Sequence, residues 1–326
     1  MRFFVRRGIF YLITLWAAIT INFFLPRMMP GDPISALIAS KQGQITPEQA
    51  ESIRVLFGLD NQQSLWQQYV NYLNQILHGN LGIAFSQFPT PVSQIIRDTL
   101  PWTLGLVGLS TIIAVVIGTS VGTYIGWRRG TKADIVLPIT TFFSSVPYFW
   151  FGLVAILLFS VTWKIFPSSK GYQPGLVPSW NWEFISSVLY HVALPAITIV
   201  LSSVAGWILG MRNMMVTVGS EDYVTVAQAK GLSERRVMVS YAARNAVLPQ
   251  ISSFALALGF VVGGTLIMEM VFSYPGIGYA LFEAVQAKDY PLMQGCFLVI
   301  TLSILVFNLI ADVVYAFLDP RTRQEG

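Results

Sequence analysis

The chain has 326 residues, of which 54% are hydrophobic and only 11% charged, with a mean hydropathy of +0.60 and a net charge of +4. Soluble domains carry roughly a quarter charged residues, so an ordinary water-soluble enzyme is excluded: too little polar surface is available to cover a core of this size. One cysteine, Cys296, excludes an internal disulfide and a cysteine-rich metal cluster.

Six runs lack any charged residue: Gly8–Leu25, Thr99–Trp127, Ile135–Trp163, Phe184–Met211, Asn245–Met268 and Tyr290–Ala311. A bilayer core takes about 20 apolar residues as helix, and the runs are 18, 29, 29, 28, 24 and 22 residues long. The expectation is an all-α membrane protein with six transmembrane helices. An even number of spans puts both termini on one side. If that side is the cytoplasm, it holds 13 of the 20 Lys and Arg residues, among them Arg2, Arg6, Arg7, Arg128, Arg129, Lys132, Arg212 and Arg244. Cytoplasmic loops concentrate these residues, so both ends are expected inside a plasma (inner) membrane protein. The first span has the basic flank of a signal peptide, but its exit, Phe24-Leu25-Pro26-Arg27, offers no small-residue cleavage site, and it is expected to be retained.

These spans divide the chain into a first helix at 1–27, an extracytoplasmic segment at 28–98, a five-helix core at 99–318 and a short tail at 319–326. Within 28–98, Thr46-Pro47-Glu48-Gln49 predicts a helix ending near Gly58. A second helix is predicted over Ser64–His78, with Leu65, Tyr69, Tyr72, Leu73, Ile76 and Leu77 on one face. That face either rests on the membrane or bundle, or forms a lid or docking surface at the external mouth. Trp163, Trp180 and Trp182, around the fourth span's start, read as interfacial anchors. Glycines four apart (Gly118, Gly122 and Gly126; Gly206 and Gly210; Gly259 and Gly263) read as places where helix backbones approach closely.

The loop at 212–248 is far longer than two spans need to turn round. Ser220 is a suitable N-cap, Glu221 and Asp222 supply acids for a first turn, and Gly231 can end that helix in the left-handed conformation. Ser233 can cap a second helix running until Pro249 opens the fifth span. A short helix, a glycine turn and a second helix make a stiff protrusion suited to taking force from a soluble partner.

Ala227 and Ala229 followed by Gly231, with Leu248-Pro249 beyond, resemble the EAA loop of ABC-transporter permeases. The string Asp222-Tyr223-Val224…Ala229-Lys230-Gly231-Leu232…Arg244-Asn245-Ala246…Pro249 resembles the dipeptide/oligopeptide/nickel permease family. So do Pro30-Gly31-Asp32-Pro33, His78-Gly79-Asn80-Leu81-Gly82, Ser145-Val146-Pro147, Glu269…Phe272-Ser273-Tyr274-Pro275-Gly276-Ile277-Gly278 and Asp319-Pro320-Arg321. The resemblance covers nearly the whole chain, and the long segment after the first helix is similar to the first permease subunit of a pair. It implies the type I ABC importer permease fold and the pore subunit of a binding-protein-dependent importer of short peptides. Its implied partners are a homologous second permease, two ATPase subunits carrying ATP and Mg, an extracytoplasmic binding protein and the lipid bilayer, with no nucleic acid. It carries an ATPase-coupling role onto Glu221, Asp222, Tyr223, Ala227, Ala229, Lys230, Gly231 and Leu232. Pro147, Glu269, Pro275 and Gly276 are candidates for gating or the translocation path, although Glu269 reads first as a cap or hydrogen-bond partner for the turn at Pro275–Gly278. Gln228 and Tyr241 stand where peptide permeases commonly place an arginine and a histidine, which keeps oligosaccharides, and more remotely nickel chelates, open as substrates.

No GxxxxGK[ST] loop or HExxH is present, no motif for nucleophilic catalysis is read, and the histidines, His78 and His191, lie far apart. No catalytic residue, resident cofactor or metal is expected, and His191 reads as a hydrogen-bonded packing residue. An ion-coupled secondary transporter is the competing class. Such carriers keep charges at the bilayer midplane, whereas Glu269, Asp312 and Arg212 fall near span ends. The protrusion at 212–248 discriminates the two, because an ion-coupled carrier has no need of it.

Overall fold

The computed structural model describes residues 2–30, 64–261, 263 and 266–318. The helix predicted near 46–58, the Pro30-Gly31-Asp32-Pro33 motif beyond Pro30 and the tail at 319–326 lie outside these residues. The described residues form helices joined by turns and irregular loops, the longest at 163–181, with one isolated bridge between Ile83 and Pro91. The helices are α1 (Arg2–Arg27), α2 (Leu65–Leu77), α3 (Val92–Trp127), α4 (Lys132–Ser145), α5 (Tyr148–Thr162), α6 (Trp182–Val218), α7 (Asp222–Ala229), α8 (234–246), α9 (Leu248–Phe260), α10 (Leu266–Val271), α11 (Ile277–Gln286) and α12 (Tyr290–Leu318).

Among the described residues four helices are long and apolar enough to cross a membrane: Arg7–Arg27 of α1, Val92–Trp127, Trp182–Val218 and Tyr290–Val313 of α12. The predicted third and fifth spans differ. The third is α4 and α5, bent by 92° at a break. Val146 is extended there (ψ 131°), as the residue before a proline prefers, and Pro147 caps α5. The predicted fifth span holds the 13-residue α9 and the short α10. The second span begins seven residues before Thr99. Pro101 lies inside it, and a five-residue π segment, Leu104–Gly108, follows.

Two compact units divide the chain, one comprising 1–102 and 275–305, the other 103–274 and 306–326. In the first, α2 forms as predicted. Ser64 accepts from the Gln67 N–H, and the Gln67 side chain accepts from the Ser64 N–H, completing a capping box. Only part of the predicted face is covered: Tyr69 is buried and Tyr72, Leu73 and Ile76 half-buried, while Leu65 and Leu77 are exposed. This face rests on the end of α1. Tyr69 shares a 2.7 Å hydrogen bond with Thr20, and the Tyr72 hydroxyl accepts from Asn22 Nδ2 at 3.1 Å. Burial pushes the Tyr72 phenol up to about 12, so it stays protonated at physiological pH. In the same unit, fully buried Asp289 accepts from the Ser86 N–H at 2.8 Å, the Ser86 hydroxyl at 2.7 Å and the Leu292 N–H at 3.1 Å. One carboxylate thereby caps α12 and holds the loop after α2.

The second unit is built on the pair α3 and α6. A Cβ on Gly118 would stand 2.3 Å from Trp207 Cβ, one on Gly122 2.6 Å from the Ile208 carbonyl oxygen, and one on Gly126 2.6 Å from Met215 Cβ. The predicted glycine contacts are real along α3, because only a residue without a side chain fits there. Gly210 abuts the Gln250 side chain, whereas Gly206 faces open space and serves no such contact. Gly118-Thr119-Ser120-Val121-Gly122 also has the G-x-S-x-G spacing of a catalytic serine, which the sequence reading overlooked. Ser120 sits in mid-helix and donates to the Val116 carbonyl at 2.7 Å, with none of the strand-to-helix turn that exposes a nucleophile. His191 is half-buried and hydrogen-bonds the Ser187 carbonyl at 2.8 Å through Nδ1, matching its packing role. Trp163, Trp180 and Trp182 are exposed, as anchors in the headgroup region would be.

Gly122→Ala is expected to cost about 1–3 kcal/mol, because the methyl meets backbone that cannot step aside. Gly206→Ala is expected to cost little. Thermal unfolding of the two variants in detergent micelles checks the contrast.

Candidate coupling site

α6 has 37 residues, which at 1.5 Å per residue is about 55 Å, well beyond a hydrocarbon core of about 30 Å. It continues through Val218, seven residues past Met211, and so supplies the base on which the following loop is built. Gly219 caps it, and the Ser220 hydroxyl turns back to the Thr217 carbonyl at 2.7 Å. Ser220 is therefore not the cap of the next helix. That place falls to Glu221, extended at ψ 145°, whose carbonyl accepts from the Val224 and Thr225 N–H groups at 3.0 and 3.2 Å. Asp222 stands in the first turn of α7, where the helix dipole favours an acid.

Lys230 closes α7, and Gly231 follows at φ +74°. This left-handed turn is the predicted stop, and glycine enters it without the clash a Cβ brings. Ser233 is the N-cap of α8 by position, extended at ψ 142°, although its side chain makes no capping bond. α8 widens into a π segment at Val237–Ala243 before ending at Ala246.

α7 presents two faces. Val224 and Ala227, three residues apart, are fully buried on Met211 and Met215 of α6 and on Val237, Ala242 and Ala246 of α8. Leu232 and Tyr241 pack at the margin of this cluster. Ala227 and Leu232, which the sequence reading placed at a partner interface, thus seat α7 on its base. The opposite face carries Glu221, Asp222, Val226, Ala229 and Lys230, all exposed. Tyr223 is 39% exposed, and its hydroxyl accepts from Asn245 Nδ2 at 2.9 Å, bracing α7 against α8. Val226 and Asn245 were missed from sequence. Val226 was findable as the apolar residue left over once 224 and 227 take the buried stripe; the Asn245 bond spans 22 residues and has no local signal. Of the two departures from the peptide permeases, Gln228 is exposed on the outer side and Tyr241 is half-buried in the cluster.

The remaining candidates belong to separate elements. Pro147 stands at the 92° bend between α4 and α5. Glu269 is 1% exposed on α10 and accepts from the Thr103 hydroxyl at 2.6 Å, while its carbonyl accepts from the Tyr274 N–H at 2.8 Å. Pro275 is half-buried, and Gly276 is the N-cap of α11, its carbonyl accepting from the Ala280 N–H. Among the described residues no group of three or more His, Cys, Asp and Glu side chains could hold a metal ion.

Residues 99–324 match the family described as binding-protein-dependent transport system inner membrane component, and residues 1–107 match the family describing its N-terminal part. The chain belongs to this family of ABC importer permeases, whose members are membrane subunits and not ATPases. It is 33% identical to the oligopeptide transport system permease protein AppB of Bacillus subtilis, over 97% of this chain and 98% of that one. It is also 33% identical to the dipeptide transport system permease protein DppB of Escherichia coli K12, over 99% of each chain. A putative peptide permease of Brucella ovis is 34% identical over 99% of each. The family and the apolar helices together make this a multi-pass protein of the inner membrane.

Ala227→Leu is expected to lift α7 from its base at a cost of about 1–3 kcal/mol, since Met211 and Met215 leave no room for a larger side chain. Hydrogen exchange over 222–230 in the purified protein should then quicken, while exchange along the α3–α6 pair stays slow.

Proposed function

We propose that this chain is the pore-forming permease of an ABC importer for short peptides, working with a homologous second permease, two ATPase subunits and an extracytoplasmic binding protein. The carrying observation is similarity over nearly the full length to permeases named for oligopeptide and dipeptide transport. The exposed face of α7 on its buried base supports the assignment of Glu221, Asp222, Tyr223, Ala229 and Lys230 to ATPase contact, with Ala227, Gly231 and Leu232 holding that face in place. The Lys and Arg distribution supports cytoplasmic termini and a cytoplasmic loop at 212–248. In this reading, ATP and Mg bound by the partner ATPases draw those subunits together, and they push on α7. The membrane helices then pass between inward-open and outward-open arrangements, and the binding protein releases its peptide into the pore. Pro147, where the third span breaks, and Glu269, buried beside Thr103, are the candidates for moving or lining parts. No finding favours oligosaccharides, nickel chelates or an ion-coupled carrier over this reading.

The test is uptake by the complete complex in proteoliposomes loaded with binding protein, offered radiolabelled tri- and tetrapeptides and cello-oligosaccharides separately. ATP-dependent accumulation of peptides is the expected result. Accumulation of sugars alone overturns the substrate, and uptake driven by a proton or sodium gradient without ATP overturns the class.

Within this mechanism, Gly231→Val should uncouple hydrolysis from uptake. A β-branched residue at φ +74° costs about 1–2 kcal/mol in backbone strain, although the space around it is open. Gly231→Asn, which tolerates the left-handed region, should retain most of the peptide imported per ATP hydrolysed.

A further inference from the structure

We infer that Glu234 is a positioning residue that ties the outer end of the coupling loop to α3, so that force on α7 reaches α3 and α6 together. The inference rests on the coupling role proposed for the loop. Glu234 opens α8, three residues beyond the Gly231 turn. Its two carboxylate oxygens are both engaged by the end of α3: Oε1 accepts from Trp127 Nε1 at 3.0 Å, and Oε2 accepts from Arg128 Nη2 at 3.3 Å. Trp127 also packs against the buried cluster beneath α7. One residue earlier, Gly126 lies against α6 with no room for a Cβ beside Met215.

The loop is therefore held to the α3–α6 pair twice. The chain itself joins α7 to α6 through Gly219–Glu221, and Glu234 joins the start of α8 to α3. Without the second tie, a push on α7 could swing α8 about the Gly231 turn and be lost before it moves α3. The Arg128 and Glu234 side chains are 48% and 58% exposed, so the ion pair by itself is weak. The indole hydrogen bond supplies what the ion pair lacks, because a half-buried ring with two torsions fixes the carboxylate in one place.

The experiment compares peptide imported per ATP hydrolysed in the complete complex for Glu234→Gln, Trp127→Phe and the exchanged pair Arg128→Glu with Glu234→Arg. Glu234→Gln and Trp127→Phe should each lower that ratio about two- to fivefold, the range a partly exposed tie of this kind spans. ATPase activity and the half-saturating concentration of binding protein should stay unchanged. The exchanged pair restores opposite charges but leaves the Trp127 indole without an acceptor, so its ratio should stay as low as that of Trp127→Phe, and full recovery overturns the part given to the indole hydrogen bond. An unchanged ratio in Glu234→Gln and Trp127→Phe, with Gly231→Val still uncoupled, overturns the role of Glu234 and leaves the coupling loop standing. An unchanged ratio in all of them, Gly231→Val included, overturns the coupling reading itself. A lower yield of assembled complex at an unchanged ratio also overturns the inference, since it assigns Glu234 to folding alone.

Discussion

No side chain fits between α3 and α6 at Gly118, Gly122 and Gly126, and that contact governs the second unit of the chain. In lipid, apolar side chains gain little by leaving the solvent, so helices hold together through close backbone approach. Three glycines on one face of α3 create that approach. Met215 of α6, which stands 2.6 Å from a would-be Cβ on Gly126, is also one of the buried residues under α7. The seam within the apolar bundle and the base of the loop at 212–248 thus share a side chain.

Polar groups in the structure fall into two uses. Asp289 and Glu269 are buried and hydrogen-bonded, holding chain segments in place where water is excluded. Glu221, Asp222 and Lys230 are exposed on α7. Buried acids in a membrane protein invite a reading as ion or proton sites. Here Asp289 caps α12 and accepts from a loop hydroxyl, which is a structural use.

Much of this was legible along the chain. Long uncharged runs marked the apolar helices, the apolar face across Ser64–His78 marked α2, and Gly231 marked the end of α7, because hydropathy, periodicity and φ preference act on neighbouring residues. The third span illustrates the limit. Its 29 uncharged residues satisfy a length test whether or not they form one straight helix, and Pro147 turns them through 92°. The cap at Glu221 in place of Ser220 shows a smaller version of the same problem, since both residues suit the position and the end of α6 decides between them. The G-x-S-x-G spacing along α3 shows the converse, a pattern that fits a catalytic turn but is spent on helix packing.

By itself the sequence determined the membrane character of this protein, its family and the place of the loop, since each depends on residue type and spacing within a short window. Tertiary structure alone decided that Ala227 faces inward while Val226 faces out, that Tyr223 is braced by Asn245, and that Glu234 meets Trp127 and Arg128. Helical period announces that an eight-residue helix has two faces, but not which one is covered. That depends on residues as far away as Trp127, 107 positions from Glu234, brought near only because α3 and α6 pack backbone to backbone.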